Sequence, residues 1–361
     1  MITHLIPDEK FTNKIINFFT NEFKEIENYY IVYNDGHVFY DDHFENVIYT
    51  NNLCKEEDNF FEILNKSDKI VVHGFDSIDL ILFLNKHINL TSKCIFLIWG
   101  ADIYNDHFYL ETHKGFFLKR RIKTILKKRM LKKSRNFMTF TYDDFNKAHE
   151  WFGIKGNRYD CLYPSNLKVD DLKQIEKQLP KKGIFEPINI IVGNSATETN
   201  NHFEAFAKLS KFKDENINIY CPLSYGNADY AVEVEKEGKR LFKDKFIPIK
   251  NFMSIDEYSK MLASMDIGIF AYNRQQATEN LEILSYFGAK MYLKKGTALW
   301  THYVDRDGCN FYNFFDIDSL SFKDFCYFDE ASKISNKNYF SNIWDIKYIC
   351  SLWKKVFNST L

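Results

Sequence analysis

Four polar residues, Asn273, Arg274, Gln275 and Gln276, stand between an apolar run that reads as a buried strand, Ile267 to Ala271, and a run with helical spacing, Asn280 to Phe287. A position past the carboxyl end of a strand and at the start of a helix favours anions, because free backbone N–H groups and the helix dipole both attract negative charge. An arginine there opposes the dipole unless an anion is present. Arg274, Gln275 and Gln276 therefore read as a phosphate or pyrophosphate clamp. A similar place is offered by Gly193-Asn194-Ser195, which follows an apolar strand and precedes a helix start rich in Thr197, Glu198, Thr199 and Asn200. Gly193 would let the backbone pass close to a phosphate while Asn194 and Ser195 donate to its oxygens; ordinary turn and N-cap chemistry is the alternative. Two more glycine turns end strands earlier in the chain, Val71 to Asp76 and Trp99-Gly100-Ala101-Asp102. Asp102 is the first choice for a general base, since shielding by Trp99 and Tyr104 would raise its pKa toward useful values. His73 is the second, because imidazole titrates near neutrality. A helix cap at Asp102 and a hydrogen-bonded core histidine at His73 are the competing assignments.

From Leu118 to Arg135 the chain carries ten cations and no acid. Leu118, Ile122, Ile125, Leu126 and Met130 form an apolar stripe on the same expected helix. Such a helix can rest on anionic lipid, with Lys119, Arg120, Arg121, Lys127 and Lys128 meeting the membrane surface. The alternative is a domain helix whose stripe packs on a sheet and whose charges are solvated. RNA binding fits less well, because no aromatic platform interleaves the basic run.

Strand ends and helix starts must hold these residues. Strand-like runs at Ile2–Ile6, Tyr29–Tyr33, Lys69–Val72, Cys94–Trp99 and Phe137–Thr141 alternate with helix-like runs at Thr12–Phe23, Phe60–Asn65, Ile78–Lys86, Gly115–Lys132 and Asp143–Phe152. That alternation predicts a largely parallel sheet with helices on both faces. After a charged, proline-containing stretch, Val169 to Pro187, a second series begins: strands at Ile188–Val192, Ile217–Cys221, Lys245–Ile249, Ile267–Ala271 and Lys290–Leu293, with helices at Asn201–Phe212, Asp229–Phe242 and Ile255–Ser264. Two Rossmann-like halves joined by a polar linker are expected. The tail Tyr339 to Phe357 reads as one packing helix.

A chain of 361 residues exceeds the usual size of one hydrophobic core. Its 48 basic and 49 acidic residues remove any whole-molecule argument for a nucleic-acid partner. Seven scattered cysteines, none in a Cys-x-x-Cys pair, indicate neither a disulfide framework nor a zinc site. No apolar segment approaches the roughly 18 residues of a membrane span. A cytoplasmic location is expected, with peripheral attachment to the inner face of the cell membrane as the further option.

Five motifs in order, His4-Leu5-Ile6-Pro7-Asp8-Glu9-Lys10-Phe11, Trp99-Gly100-Ala101-Asp102-Ile103-Tyr104, Val192-Gly193-Asn194-Ser195, Pro222-Leu223-Ser224-Tyr225-Gly226 and Arg274-Gln275-Gln276, resemble the TDP-N-acetylfucosamine:lipid II N-acetylfucosaminyltransferases. These bacterial glycosyltransferases of surface-polysaccharide assembly are also labelled 4-alpha-L-fucosyltransferases. The family tends to place glycines after Arg-Gln-Gln, whereas this chain has Ala277 and Glu279. The resemblance implies an α/β fold of two Rossmann-like domains facing each other across a cleft (GT-B type). Residues 1–170 would form the acceptor side, 182–335 would bind the nucleotide sugar, and a helix over 338–358 would pack across both.

The implied reaction moves an N-acetylfucosamine-like deoxyamino sugar from a TDP- or UDP-linked donor to a glycan or polyprenyl-linked acceptor, with no cofactor. In it Gly193, Asn194, Ser195, Arg274, Gln275 and Gln276 would hold the diphosphate. Glu282 stands near the acid with which many two-Rossmann glycosyltransferases bind ribose hydroxyls. Ser224, Tyr225, Phe252 and Met253 lie on loops expected near the nucleobase, where Tyr225 could stack or donate. Asp102 or His73 would take the acceptor proton. No Asp-x-Asp metal element of the other glycosyltransferase fold stands out, so metal independence is expected. Two rivals remain, a nucleotide-sugar epimerase of the same fold and a non-catalytic membrane-surface assembly protein.

Overall fold

The structure is a computed structural model describing residues 1–9, 11–33, 44–112, 118–164, 168–180, 182, 183 and 185–359, with only the backbone of 106 and 108–112. Lys10 of the first motif and Gly115 to Phe117 of the expected basic helix lie outside the described residues. The chain divides into two units, Met1–Pro164 with Ile346–Leu361, and Ser165–Asp345.

The first unit is built on seven parallel strands: β1 (Ile2–Pro7), β2 (Asn28–Tyr33), β3 (Val47–Thr50), β4 (Lys69–His73), β5 (Cys94–Ile98), β6 (Asn136–Thr139) and β7 (Asn157–Asp160), in the order β3-β2-β1-β4-β5-β6-β7. Its helices are α1 (Thr12–Glu22), α2 (Phe61–Lys66), α3 (Ile78–Lys86), α4 (Ala101–Thr112), α5 (Leu118–Leu131) and α6 (Tyr142–Phe152). Every residue of β4 and β5 is buried, as befits parallel strands covered on both faces. The chain lays down β1, β2 and β3 toward one side, then returns to place β4 beside β1, with Leu5 opposite Val72. The strand order therefore reverses between β1 and β4.

The second unit opens with α7 (Val169–Gln178), where a polar linker was expected. Leu172 and Ile175 fall on one side of that helix and are buried with Ala263 and Tyr286, so three-residue apolar spacing overrides the charged composition. Six parallel strands follow: β8 (Ile188–Val192), β9 (Ile217–Pro222), β10 (Phe246–Ile249), β11 (Ile267–Phe270), β12 (Lys290–Leu293) and β13 (Tyr312–Asn313), in the order β10-β9-β8-β11-β12-β13. Between them run α8 (His202–Leu209), α9 (Ala228–Phe242), α10 (Ile255–Ala263), α11 (Thr278–Tyr286), α12 (Ala298–Trp300), α13 (Phe322–Cys326) and α14 (Glu330–Ile343). Here the order reverses between β8 and β11. In open α/β sheets, ligands settle past the carboxyl ends of the strands at such a reversal.

The expected single tail helix is broken at Trp344 and Asp345, and its second part, α15 (Ile346–Phe357), belongs to the first unit. Trp353 is fully buried there and donates from Nε1 to Leu162 O at 2.9 Å. Lys69 Nζ donates to the carbonyls of Val356 (3.0 Å) and Phe357 (2.7 Å), placing a cation where the helix dipole is negative.

Candidate active site

At the reversal of the second sheet, Gly193 follows β8 with φ of +71°, and a Cβ on it would come within 2.7 Å of His202 Nε2. Only glycine fits there. The turn is stapled from behind: Asn194 N donates to Asn200 Oδ1 at 2.9 Å, and Asn200 Nδ2 donates to Thr197 Oγ1 at 2.6 Å and Ser195 Oγ at 3.2 Å. Asn201 Nδ2 reaches Ala271 O at 2.6 Å and so ties the start of α8 to the end of β11.

Three loops meet at this point. Asn194 Nδ2 donates to the Tyr225 hydroxyl at 2.8 Å, and Asn194 Oδ1 accepts from Gln276 Nε2 at 3.2 Å. Gln276 Oε1 in turn accepts from Thr199 Oγ1 at 2.8 Å. The loop after β9 is joined to the same turn by backbone bonds, Ala196 N to Tyr225 O and Asn227 N to Ala196 O, each 2.8 Å. Burial raises the Tyr225 hydroxyl pKa, while hydrogen bonds to Asn194 and Ser195 and the charge of Arg274 oppose the rise. The guanidinium thus lies within electrostatic reach of that hydroxyl. Arg274, Gln275 and Ser224 are half-buried, whereas Tyr225, Phe252 and Met253 are exposed, Phe252 by 80%. The Tyr225 and Phe252 rings lie nearly parallel, 28° apart in plane with centroids at 6.3 Å.

Ala277, the residue before α11, has φ 53° and ψ 36°. A side chain in this left-handed region costs about 1–2 kcal/mol. Glycine would sit there freely, so the departure Ala277 is accommodated at the expense of strain beside Gln276.

Thr199 and Asn200 figured in the sequence only as part of a polar helix start, and His202 was missed. An asparagine and a histidine just after a glycine turn were the available signal. His202 is buried, bonds Tyr230 through Nδ1 at 3.2 Å, and has its pKa lowered to about 4 by burial.

The structure corrects the ribose expectation for Glu282. That side chain is 7% exposed, with Oε1 accepting from the Tyr303 hydroxyl (2.8 Å) and Oε2 from Trp344 Nε1 (2.6 Å). Burial raises its pKa to about 7, against the pull of the Trp344 and Tyr303 hydrogen bonds. Glu282 joins α11 to the segments carrying Tyr303 and Trp344.

In the first unit, His73 ends β4 and is fully buried. Its Nε2 bonds His4 Nδ1 at 2.9 Å and its Nδ1 bonds the Tyr163 hydroxyl, while burial and the His4 charge hold its pKa well below 6.5. With both nitrogens engaged and no exposed atom, His73 is an interior residue, which corrects its reading as an accessible base. Asp102 has a pKa raised to about 6 by burial, opposed by backbone hydrogen bonds. Its two oxygens accept from Phe75 N (2.8 Å) and Trp99 N (2.7 Å), lacing the loops after β4 and β5 together.

The basic helix is also corrected in part. Lys127 is fully buried, donating to Asp76 Oδ1 (2.7 Å) and Asp102 O (2.8 Å), and Arg120 turns back to Asn105 O at 3.0 Å. Lys119 and Arg121 are exposed and Lys128 is half-buried.

Among the described residues, no group of three or more His, Cys, Asp or Glu side chains could hold a metal ion. The chain does contain two Asp-x-Asp triplets, Asp305-Arg306-Asp307 and Asp316-Ile317-Asp318. Their carboxylates are engaged by Trp300, Arg306 and Tyr339 in the first and by Asn313 and Lys208 in the second. A cavity of about 620 Å³ opens at the amino ends of β8, β11 and β12, among residues such as Lys182, Asp266, Phe287 and Lys337. Lys182 is paired with Asp266 and Lys337 with Glu176, and none of the expected donor residues lines this cavity. Convergent polar loops at the strand reversal, rather than cavity size, place the candidate site.

The same architecture recurs in solved proteins. A glycosyltransferase from Rickettsia africae ESF-5 is 14% identical, covers 99% of each chain and superposes with a TM-score of 0.63. A UDP-forming trehalose-phosphate synthase from Burkholderia xenovorans is 10% identical (TM-score 0.64; 98% of this chain, 97% of that one). Anabaena Alr3699/HepE, solved in complex with UDP and glucose, is 10% identical (TM-score 0.62; 99% of both). Identities this low speak for the fold, two Rossmann-like units of the GT-B type. Descent is shown by sequence: the model for 4-alpha-L-fucosyltransferase, glycosyl transferase group 56, matches residues 11–324. The chain is a glycosyltransferase and belongs to the group 56, 4-alpha-L-fucosyltransferase family.

Proposed function

We propose that the second unit grips the diphosphate of a TDP- or UDP-linked, N-acetylfucosamine-like sugar between the Gly193–Ser195 turn and the Asn273–Gln276 loop. The protein passes that sugar to a polyprenyl-linked or glycan acceptor in surface-polysaccharide assembly, working against the inner face of the cell membrane. The observation that carries this reading is topological. Two polar loops whose residue types suit an anion follow β8 and β11, the strands that flank the reversal, and the Gln276–Asn194 bond holds them together.

In this reading Arg274 neutralises the departing diphosphate without a metal ion, and Asn194 and Ser195 present donors to its oxygens. Tyr225 and Phe252 offer a planar surface to the nucleobase. Asp102 acts as a positioning residue, fixing the loops that face the acceptor. HepE, whose structure holds UDP and glucose, makes a uridine donor as reasonable as a thymidine one.

Thermal stabilisation by a panel of TDP-, UDP- and GDP-sugars tests the reading, because a ligand at about 100 times its Kd adds about 2.7 kcal/mol to the folded state. TDP- or UDP-sugars should stabilise the wild type, and Arg274→Ala should lose that response and the transfer rate together. Wild-type rates in Arg274→Ala would remove the diphosphate assignment. Conversion of the donor to an isomer without any acceptor would instead favour the epimerase.

A further inference from the structure

Helix α5 is buried on one side through Thr124, Lys127, Met130 and Leu131, yet Leu118, Ile122 and Ile125 are 53%, 46% and 65% exposed. At 3.6 residues per turn, positions 118, 122, 125 and 129 fall within about 60° of one another on the outward side. Lys119, Arg121, Arg129 and Lys132 are exposed on or beside that stripe. Helix α3 is bonded to α5 through Asn85 Nδ2 and Leu126 O at 3.0 Å, and it leaves Ile78 and Leu82 exposed by 47% and 45%. Five aliphatic side chains on two packed helices thus stand in water beside a set of cations.

Three acids on or beside these helices are already engaged. Asp76 is held by Lys123 and Lys127, Asp79 accepts from Leu53 N at 2.6 Å, and Glu57 pairs with Lys86 and His87. A polynucleotide would use the cations and leave the aliphatic groups wet. An anionic bilayer satisfies both, taking branched chains at the headgroup boundary and cations at the phosphates.

We propose that the face made by α3 and α5 docks on an anionic lipid bilayer. Ile78, Leu82, Leu118, Ile122 and Ile125 enter the boundary of headgroups and acyl chains, while Lys119, Arg121, Arg129 and Lys132 meet lipid phosphates. The proposal rests on the transferase reading only for the purpose of docking, which is to meet a polyprenyl-linked acceptor.

The test is sedimentation of the full chain with phosphatidylcholine vesicles and with vesicles that also contain phosphatidylglycerol. Wild type should bind the anionic vesicles, less tightly as salt rises. R121Q/R129Q should bind them about 25-fold more weakly, at about fivefold per cation, with little change on neutral vesicles. I122E/I125E should lose more than tenfold on both. The substituted residues are exposed, so both variants should keep the wild-type melting temperature; should I122E/I125E melt early, Ile125→Ser gives the same reading. Failure of wild type to sediment, variants that bind like wild type, or a preference for RNA over vesicles would overturn the proposal. Donor-induced stabilisation measured alongside separates the two readings: its loss with vesicle binding intact sinks the transferase assignment alone, and the converse sinks only the docking face.

Discussion

Replacing Glu282 by glutamine should flatten the dependence of stability on pH. The carboxyl is buried between Tyr303 and Trp344 and ionises near pH 7 in the folded protein, against 4.5 for an ordinary glutamate. A folded pKa above the unfolded one means that the native state holds the proton more tightly. The stabilisation is therefore complete below pH 4.5 and is lost as pH rises through 7. At about 1.4 kcal/mol per pH unit, the loss between pH 5 and pH 8 comes to about 2.5 kcal/mol. For a unit of this size that is about 5–10 °C in melting temperature. Glutamine keeps the shape, can accept from Trp344 with its carbonyl, and can donate to the Tyr303 hydroxyl, but it has no charge to desolvate. The assay is the difference in melting temperature between wild type and Glu282→Gln at successive pH values. In that difference the opposite contribution of His202, with its lowered pKa, cancels. It should swing toward the variant by several degrees as pH rises. A constant difference across the range, accompanied by weaker donor binding, would refute the structural role and return Glu282 to the ribose.

Further outcomes are expected on the same footing. Ala277→Gly should raise stability by about 0.5–1 kcal/mol in urea unfolding, because relief of the left-handed strain exceeds the added chain entropy. Gly193→Ala should cost about 2–5 kcal/mol, since the new methyl meets His202 and the backbone stays left-handed; an unchanged melt would contradict the left-handed turn at Gly193. Lys69→Met should cost about 2 kcal/mol by leaving the last carbonyls of α15 unpaired, read from the denaturation midpoint. Asp102→Asn should slow transfer and lower the melting temperature of the first unit while donor-induced stabilisation persists; slowed transfer with an unaltered melt would give Asp102 a direct part in the chemistry.

Much of this architecture can be read from the chain because buried parallel strands are nearly unmixed apolar runs. Ile190, Ile191 and Val192 or Ile95, Phe96 and Leu97 leave little choice of partner. The polar loops were legible for the same reason: Arg274 and Gln276 interrupt apolar surroundings at a strand end. Less visible were β3 and β7, whose residues are mostly half-buried, and α7, whose charges hide two core positions. The interior placement of His73 and Glu282 depends on partners 90 and 62 residues away, Tyr163 and Trp344, which no local pattern announces. Lys127 misled for a related reason, since a cation in a basic run gives no sign that Asp76 waits for it.

The clasp between Lys69 and α15 bears on synthesis. Because Ile346–Leu361 completes the first unit, the second is in effect an insertion within it and can finish folding while the earlier half still lacks its tryptophan plug. Until Trp353 leaves the ribosome, Phe18 and Phe19 have an unfilled neighbour, which makes the nascent N-terminal half a natural client for holding chaperones. Cutting the gene after Pro164 would accordingly yield an aggregating fragment rather than a small soluble domain.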